Sequence, residues 1–193
     1  HAQFRRQRQM CIRDRLTSNN ISEDLIINLE IKSTPVEDNL TPPPNVMANL
    51  IIDEVNKTEL KDKVIYSSFD WRVLREIKNI DSKISRSYLT SELKGKIYDK
   101  SPWLDFMHLY DSDSRELPRL IKTLGGEAWH PKRKDIDKDM VRISHEEGLP
   151  VNVWTVNEKY EMLRMIEYGV DGIITDYPLR LKKLCEENGI NWF

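Results

Sequence analysis

The sequence predicts an α/β protein of the (β/α)8 barrel type, incomplete, with about six of the eight βα units present. Three observations carry this. From Ser22 onward, short apolar runs alternate with amphipathic segments, which is the pattern of βαβ units. Two helical segments close on Gly148 and Gly169, 21 residues apart, each followed by a short turn and an apolar run. The first strand runs into Ser33-Thr34-Pro35-Val36, not into the glycine-rich turn of an open dinucleotide-binding sheet. A complete barrel is typically about 250 residues, and this chain has 193.

The elements follow in order. The first strand is expected over Leu25–Lys32, where apolar residues fall at every second position. Pro42, Pro43 and Pro44 mark a loop that delivers the chain into a helix over Asn45–Val55. A strand over Val64–Phe69 is followed by Asp70, a residue suited to cap a helix that carries Val73, Leu74 and Ile77. A third strand, Ile84–Leu89, leads into the irregular stretch 91–124, with a short helix expected at Glu116–Thr123. Further strands are expected at Glu127–His130, Val151–Val156 and Gly172–Asp176. Between them lie helices over Asp137–Glu147 and Glu158–Tyr168, the latter capped by Asn157 and ended by Gly169. Domain organisation is read as a basic arm over residues 1–20 and a partial barrel domain over 21–193.

Composition removes several function classes. The chain holds 30 basic and 32 acidic residues, so no global field favours nucleic acid. Residues 1–15 carry five Arg against one Asp, and the arm has neither an apolar core nor a helical period; it is read as non-native or disordered. Cys11 and Cys185 stand in no metal-ligand or disulfide spacing. No apolar run approaches the roughly 18 residues of a membrane span, so no transmembrane segment is expected. No Walker loop, G-x-S-x-G, H-E-x-x-H or EF-hand pattern appears.

The chemistry concentrates in a few stretches. In INLEIKS, residues 27–33, alternation puts Leu25, Ile27, Leu29 and Ile31 on one face and Asn28, Glu30 and Lys32 on the other. In a barrel the polar face looks inward, and Glu30 and Lys32 stand at the carboxyl end of the strand, where barrel enzymes build their sites. About 7 Å separates such Cβ atoms, close enough for both to meet one ligand. A carboxylate there can hold a hard divalent cation and an ammonium can neutralise a phosphoryl oxygen. The residues alone leave a structural ion pair equally open. In VNVWTVN, residues 151–157, Asn152, Trp154 and Val156 share a face, and Trp154 reads either as an apolar wall for the organic part of a substrate or as a core tryptophan. Asp176, in GVDGIITDYP, suits a ligand contact or a turn cap before Pro178. His130 reads as an acid/base group, a phosphate contact or a satisfied rim histidine, and His108 and His145 show no recognisable partner.

Taken together, INLEIKS, VIYSSFDWRVLREIKNID, GLPVNVWTVN and GVDGIITDYP closely resemble the glycerophosphodiester phosphodiesterase family, in order and spacing, from about Leu25 to Leu184. The resemblance implies a barrel of the phosphatidylinositol-phospholipase-C-like type. It also implies hydrolysis of small-molecule glycerophosphodiesters to glycerol 3-phosphate and an alcohol, with a divalent cation, Ca²⁺ or Mg²⁺. On that likeness Glu30 is a metal ligand, Lys32 a catalytic residue beside it and Trp154 a substrate-binding residue. The family pattern also has a His-Arg-Gly on the first strand, a Glu-x-Asp on the second and a further catalytic His, and none of these stands in this chain. The chain is therefore expected to be a carboxyl-terminal part with little or no activity alone. The alternative is a non-catalytic, barrel-derived binding module, and a phosphoinositide phospholipase is a third reading. Open strand edges would favour self-association. The sequence assigns no compartment.

Overall fold

The computed structural model describes residues 25–37, 40–91, 97–107 and 114–191. The basic arm, with His1 and Cys11, and also His108, lie outside them. Six strands are described: β1 (Ile27–Ile31), β2 (Val64–Ser68), β3 (Arg86–Thr90), β4 (Ala128–Pro131), β5 (Asn152–Val153) and β6 (Gly172–Ile173). Six α-helices alternate with them: α1 (Pro44–Asn56), α2 (Trp71–Ile80), α3 (Leu117–Thr123), α4 (Lys138–Glu146), α5 (Lys159–Tyr168) and α6 (Pro178–Glu187).

Every ladder is parallel and the strands stand in chain order. β1 to β4 form one sheet, β5 pairs with β6, and bridges from Trp129 to Val151 and from Lys132 to Trp154 join the two. The fold is therefore the wall of a (β/α)8 barrel. It is not closed: among the described residues no ladder joins β6 to β1.

Alternation explains the layering. Val64, Tyr66, Tyr88, Trp129, Val151 and Val153 face outward and pack, all but buried, against Val73, Leu74 and Ile77 of α2, Ile121 of α3 and Met162 and Met165 of α5. Burial of such apolar area is the main favourable term. Trp71 and Tyr88 meet edge to face at 4.9 Å, and Trp129 Nε1 donates to Thr90 Oγ1 at 2.9 Å, which satisfies the one polar atom of a buried indole. Gly126 lets α3 close onto β3, because a Cβ there would stand 2.5 Å from Ile121 Cγ2 and 2.8 Å from the Tyr88 ring.

The helix starts and stops are mostly those the side chains dictate. Asp70 caps α2 by accepting from the Arg72 backbone N–H, and Asp137 caps α4 by accepting from Met140 N–H at 2.8 Å. Gly169 ends α5 in the left-handed region at φ +81°. Asn157, expected to cap α5, does not: Glu158 stands at the cap without a side-chain bond, and the Asn157 side chain is engaged elsewhere. Strand β5 is also shorter than Val151–Val156. Its inward face ends with Trp154, after which the chain turns and sends Val156 into the helix-side core, with its N–H donating to Ile174 O. Helix α6 had no counterpart among the expected elements.

Candidate functional site

The mouth of the barrel wall is built by the carboxyl ends of the strands. In β1 the outward positions sink toward the helices while Asn28 and Glu30 stay exposed, and register sets Glu30 beside Ser67 of β2. Glu30 Oε2 and Lys32 Nζ lie 3.7 Å apart, with the carboxylate 38% and the ammonium 80% exposed. Such an exposed pair is worth about 0–1 kcal/mol, so it opens readily for a ligand. Both groups reach solvent at the carboxyl end of β1.

The segment after Lys32 is tied down by a buried carboxylate. Asp70, fully buried, accepts from Ser33 Oγ at 3.0 Å and from Arg72 Nε and Nη2, both at 2.9 Å, while Arg72 Nη2 also donates to Thr34 O at 3.4 Å. This knot fixes the exit of β1 to the start of α2.

Trp154 lies half-buried on the inner face. Its Nε1 donates to His130 O at 2.8 Å, and its ring meets Phe69 at 5.3 Å, nearly perpendicular. Phe69 follows β2 and Trp154 follows β5, so this pair spans the inner face above β3 and β4. Continuing the β1–β2 register one step sets Phe69 beside Lys32, which links the aromatic pair to the charged one.

Behind Trp154, His130 is 3% exposed, with its Nε2 3.0 Å from Asn152 Nδ2, from which the neutral ring accepts. Burial away from water pushes its pKa down to about 4. At neutral pH it is a neutral, structural histidine joining β4 to β5, and its Nδ1 has no partner. Asn152 in turn fits because β6 carries Gly172 beside it; a Cβ there would stand 2.1 Å from Asn152 Oδ1.

Asp176 does not cap α6, whose first turn follows Tyr177 without a side-chain bond. It accepts from Asn157 Nδ2 at 2.8 Å, while Asn157 Oδ1 accepts from Asp176 N–H at 3.0 Å and Thr175 Oγ1 at 3.1 Å. Arg180 Nη1 holds the Asn157 carbonyl at 2.5 Å. The loops after β5 and β6 are thereby locked together. His145, expected to lack a partner, lies 2.8 Å from Asp171 Oδ2, which also accepts from Val151 N–H at 2.7 Å. That contact sits at the opposite end of the strands and takes no part in the mouth.

The donors do not complete a cation site. Glu30 is one carboxylate, Asp70 is consumed by Arg72, and among the described residues no group of three or more His, Cys, Asp or Glu side chains could hold a metal ion. Ca²⁺ takes six to eight oxygen ligands, and Mg²⁺ takes six, several of them waters, with one or two carboxylates and the substrate's phosphate.

The family model for glycerophosphoryl diester phosphodiesterases matches residues 3–180 of this chain. The chain belongs to the glycerophosphoryl diester phosphodiesterase family. Among curated relatives of that family, a glycerophosphodiester phosphodiesterase of Caldanaerobacter subterraneus subsp. tengcongensis is 28% identical over 167 residues, covering 86% of this chain and 58% of the relative. A solved structure from Silicibacter pomeroyi, described as a glycerophosphoryl diester phosphodiesterase, is 30% identical with a TM-score of 0.70, over 87% of this chain and 52% of its own. An Oleispira antarctica phosphodiesterase, solved with its product sn-glycerol-3-phosphate, shares the fold at a TM-score of 0.62 and 20% identity, over 83% of this chain and 55% of its own. The chain thus spans somewhat more than half the length of these relatives.

Within this family fold, the sequence reading missed Phe69 and the bonding of Asn157. Phe69 was findable: it stands two residues beyond Ser67, on the face that register gives to Glu30. The Asn157 network was not, because it joins segments 19 residues apart through loop geometry alone.

Proposed function

We propose that this chain forms one wall of a phosphodiesterase site that takes a glycerophosphodiester, adds water across a P–O bond and releases sn-glycerol 3-phosphate and an alcohol. The observation that carries the reading is the placement of Glu30, Lys32, Phe69 and Trp154 at one end of the strands, a charged edge beside an aromatic pair. Family membership supports the same reaction class.

In this reading the Lys32 ammonium leaves Glu30 to offset charge on the phosphoryl oxygens. Trp154, held by the His130 carbonyl, gives the organic part of the substrate an apolar wall. Glu30 is proposed as one ligand of a divalent cation, Ca²⁺ or Mg²⁺, which would supply charge neutralisation at the phosphate. The described residues place no second carboxylate beside it, so no step is drawn through the cation.

The chain carries no His-Arg-Gly and no Glu-x-Asp motif, and general acid–base work on a phosphodiester needs a titrating group at the mouth. His130 is buried and neutral and does not fill that role. Turnover by the chain alone is therefore expected to be absent or very slow. An assay with glycerophosphodiester and Ca²⁺ or Mg²⁺ tests this: robust hydrolysis, lost in Glu30→Gln, would overturn the claim of an incomplete site. Among the described residues β1 and β6 each leave one edge unpaired, which would favour self-association that sedimentation would detect.

A further inference from the structure

We propose that Lys132 selects the substrate's head group, favouring glycerophosphodiesters whose head group carries no positive charge, such as polyols, over choline or ethanolamine. This rests on the reading of the mouth as a glycerophosphodiester site and names its substrate class more narrowly.

Lys132 pairs with Trp154 in the bridge between β4 and β5. Its backbone is fixed from both sides: Lys132 N–H donates to Thr90 O at 3.2 Å, and Arg133 N–H donates to Trp154 O at 2.9 Å. Trp129 and Pro131 are buried on the helix side, so alternation gives His130 and Lys132 the inner face that Trp154 shares. A half-buried lysine therefore stands next to the tryptophan at the mouth, at the end of β4, between the strands that carry Phe69 and Trp154 and three strands from Lys32.

The neighbouring charges are accounted for, and this one is not. Arg133 is ion-paired to the buried Glu161 at 2.9 Å, Asp176 is held by Asn157, Asp70 by Arg72, and Asp135 of the same turn is itself engaged. Among the described residues Lys132 has no ion-pair or side-chain hydrogen-bond partner, and the exposed Lys134 adds a second positive charge two residues on.

An unaccompanied tryptophan face would attract a quaternary ammonium. With Lys132 beside it, a cationic head group meets a like charge, and a polyol meets an ammonium with three donors. Discrimination of this kind works through the repelled competitor as much as the favoured ligand. A unit charge about 4–6 Å away in a half-exposed site is worth roughly a fivefold change in affinity.

The test measures binding of sn-glycerol 3-phosphate, glycerophosphoglycerol and glycerophosphocholine to the whole chain by saturation-transfer NMR, in the wild type, Lys132→Glu and Lys132→Met. The wild type is expected to bind glycerophosphoglycerol roughly fivefold more tightly than glycerophosphocholine. Lys132→Met should erase that preference and Lys132→Glu reverse it; the anionic sn-glycerol 3-phosphate should bind more weakly in both variants, so the readout is the ratio of the two diesters, which carry the same phosphate. Equal binding of the two diesters by the wild type, or a ratio indifferent to both substitutions, would overturn the inference while leaving the proposed function standing. If none of the three ligands binds, the proposed function fails and takes this inference with it.

Discussion

The two sides of the mouth are built differently. On the β1 side Glu30 and Lys32 stand in solvent, paired among the described residues only with each other, and what is rigid lies beneath them in the buried Asp70–Arg72 knot. On the β4–β5 side the groups at the mouth are themselves fixed: Trp154 is held by His130 and Phe69, and Asn157 and Asp176 bond each other. The difference separates two tasks. Charges that must meet a phosphate gain from being hydrated and free until the ligand arrives, whereas an apolar wall works only if its shape is set beforehand.

The comparison breaks most severely if the knot under the β1 side is removed. Asp70→Ala leaves Arg72 without its carboxylate and frees Ser33 and the α2 cap, and should cost about 3 kcal/mol, tempered by the partial exposure of Arg72. Urea unfolding would read this as a lower midpoint with an unchanged slope.

The β4–β5 side should instead fail in acid. His130 titrates near pH 4 in the fold and near 6.5 when unfolded, so between those values the unfolded chain binds the extra proton. Stability from this group is complete above about pH 6.5 and is lost as pH falls toward 4, by up to about 3 kcal/mol. His130→Gln should flatten that part of the stability profile.

A smaller effect connects the two. Trp154→Ala removes the aromatic span and should cost about 2 kcal/mol, and by letting water reach His130 it should move that imidazole's pKa upward, visible in the ring-proton shifts. Smallest in stability is Lys32→Ala, within about 0.5 kcal/mol because its ion pair is exposed.

Much of this was legible in the sequence because it depends on local periodicity. Alternation in Leu25–Lys32 gave the inner and outer faces of β1, and the Asp70, Asp137 and Gly169 signals placed helix ends that the structure keeps. Local signals misled where a side chain had a better distant partner. Asn157 looked like a cap and instead ties two loops, and His145 found Asp171 across the turn that ends α4. Helix α6 was overlooked although Pro178 opens it and Leu181, Leu184 and Cys185 recur at helical spacing, of which Leu184 and Cys185 are buried. At the site, the charged pair could be read from one strand. The aromatic partner of Trp154 and the neighbour Lys132 required knowing which strands lie side by side.

The most direct test follows the Trp154 indole proton by NMR while sn-glycerol 3-phosphate is added to the whole chain. If the exposed charges and the fixed wall serve one ligand, that resonance shifts in a saturable way, the buried Trp129 indole does not, and Lys32→Ala weakens the titration by about tenfold. A Trp154 signal unmoved by the ligand, or a titration that Lys32→Ala leaves as it was, would contradict the account.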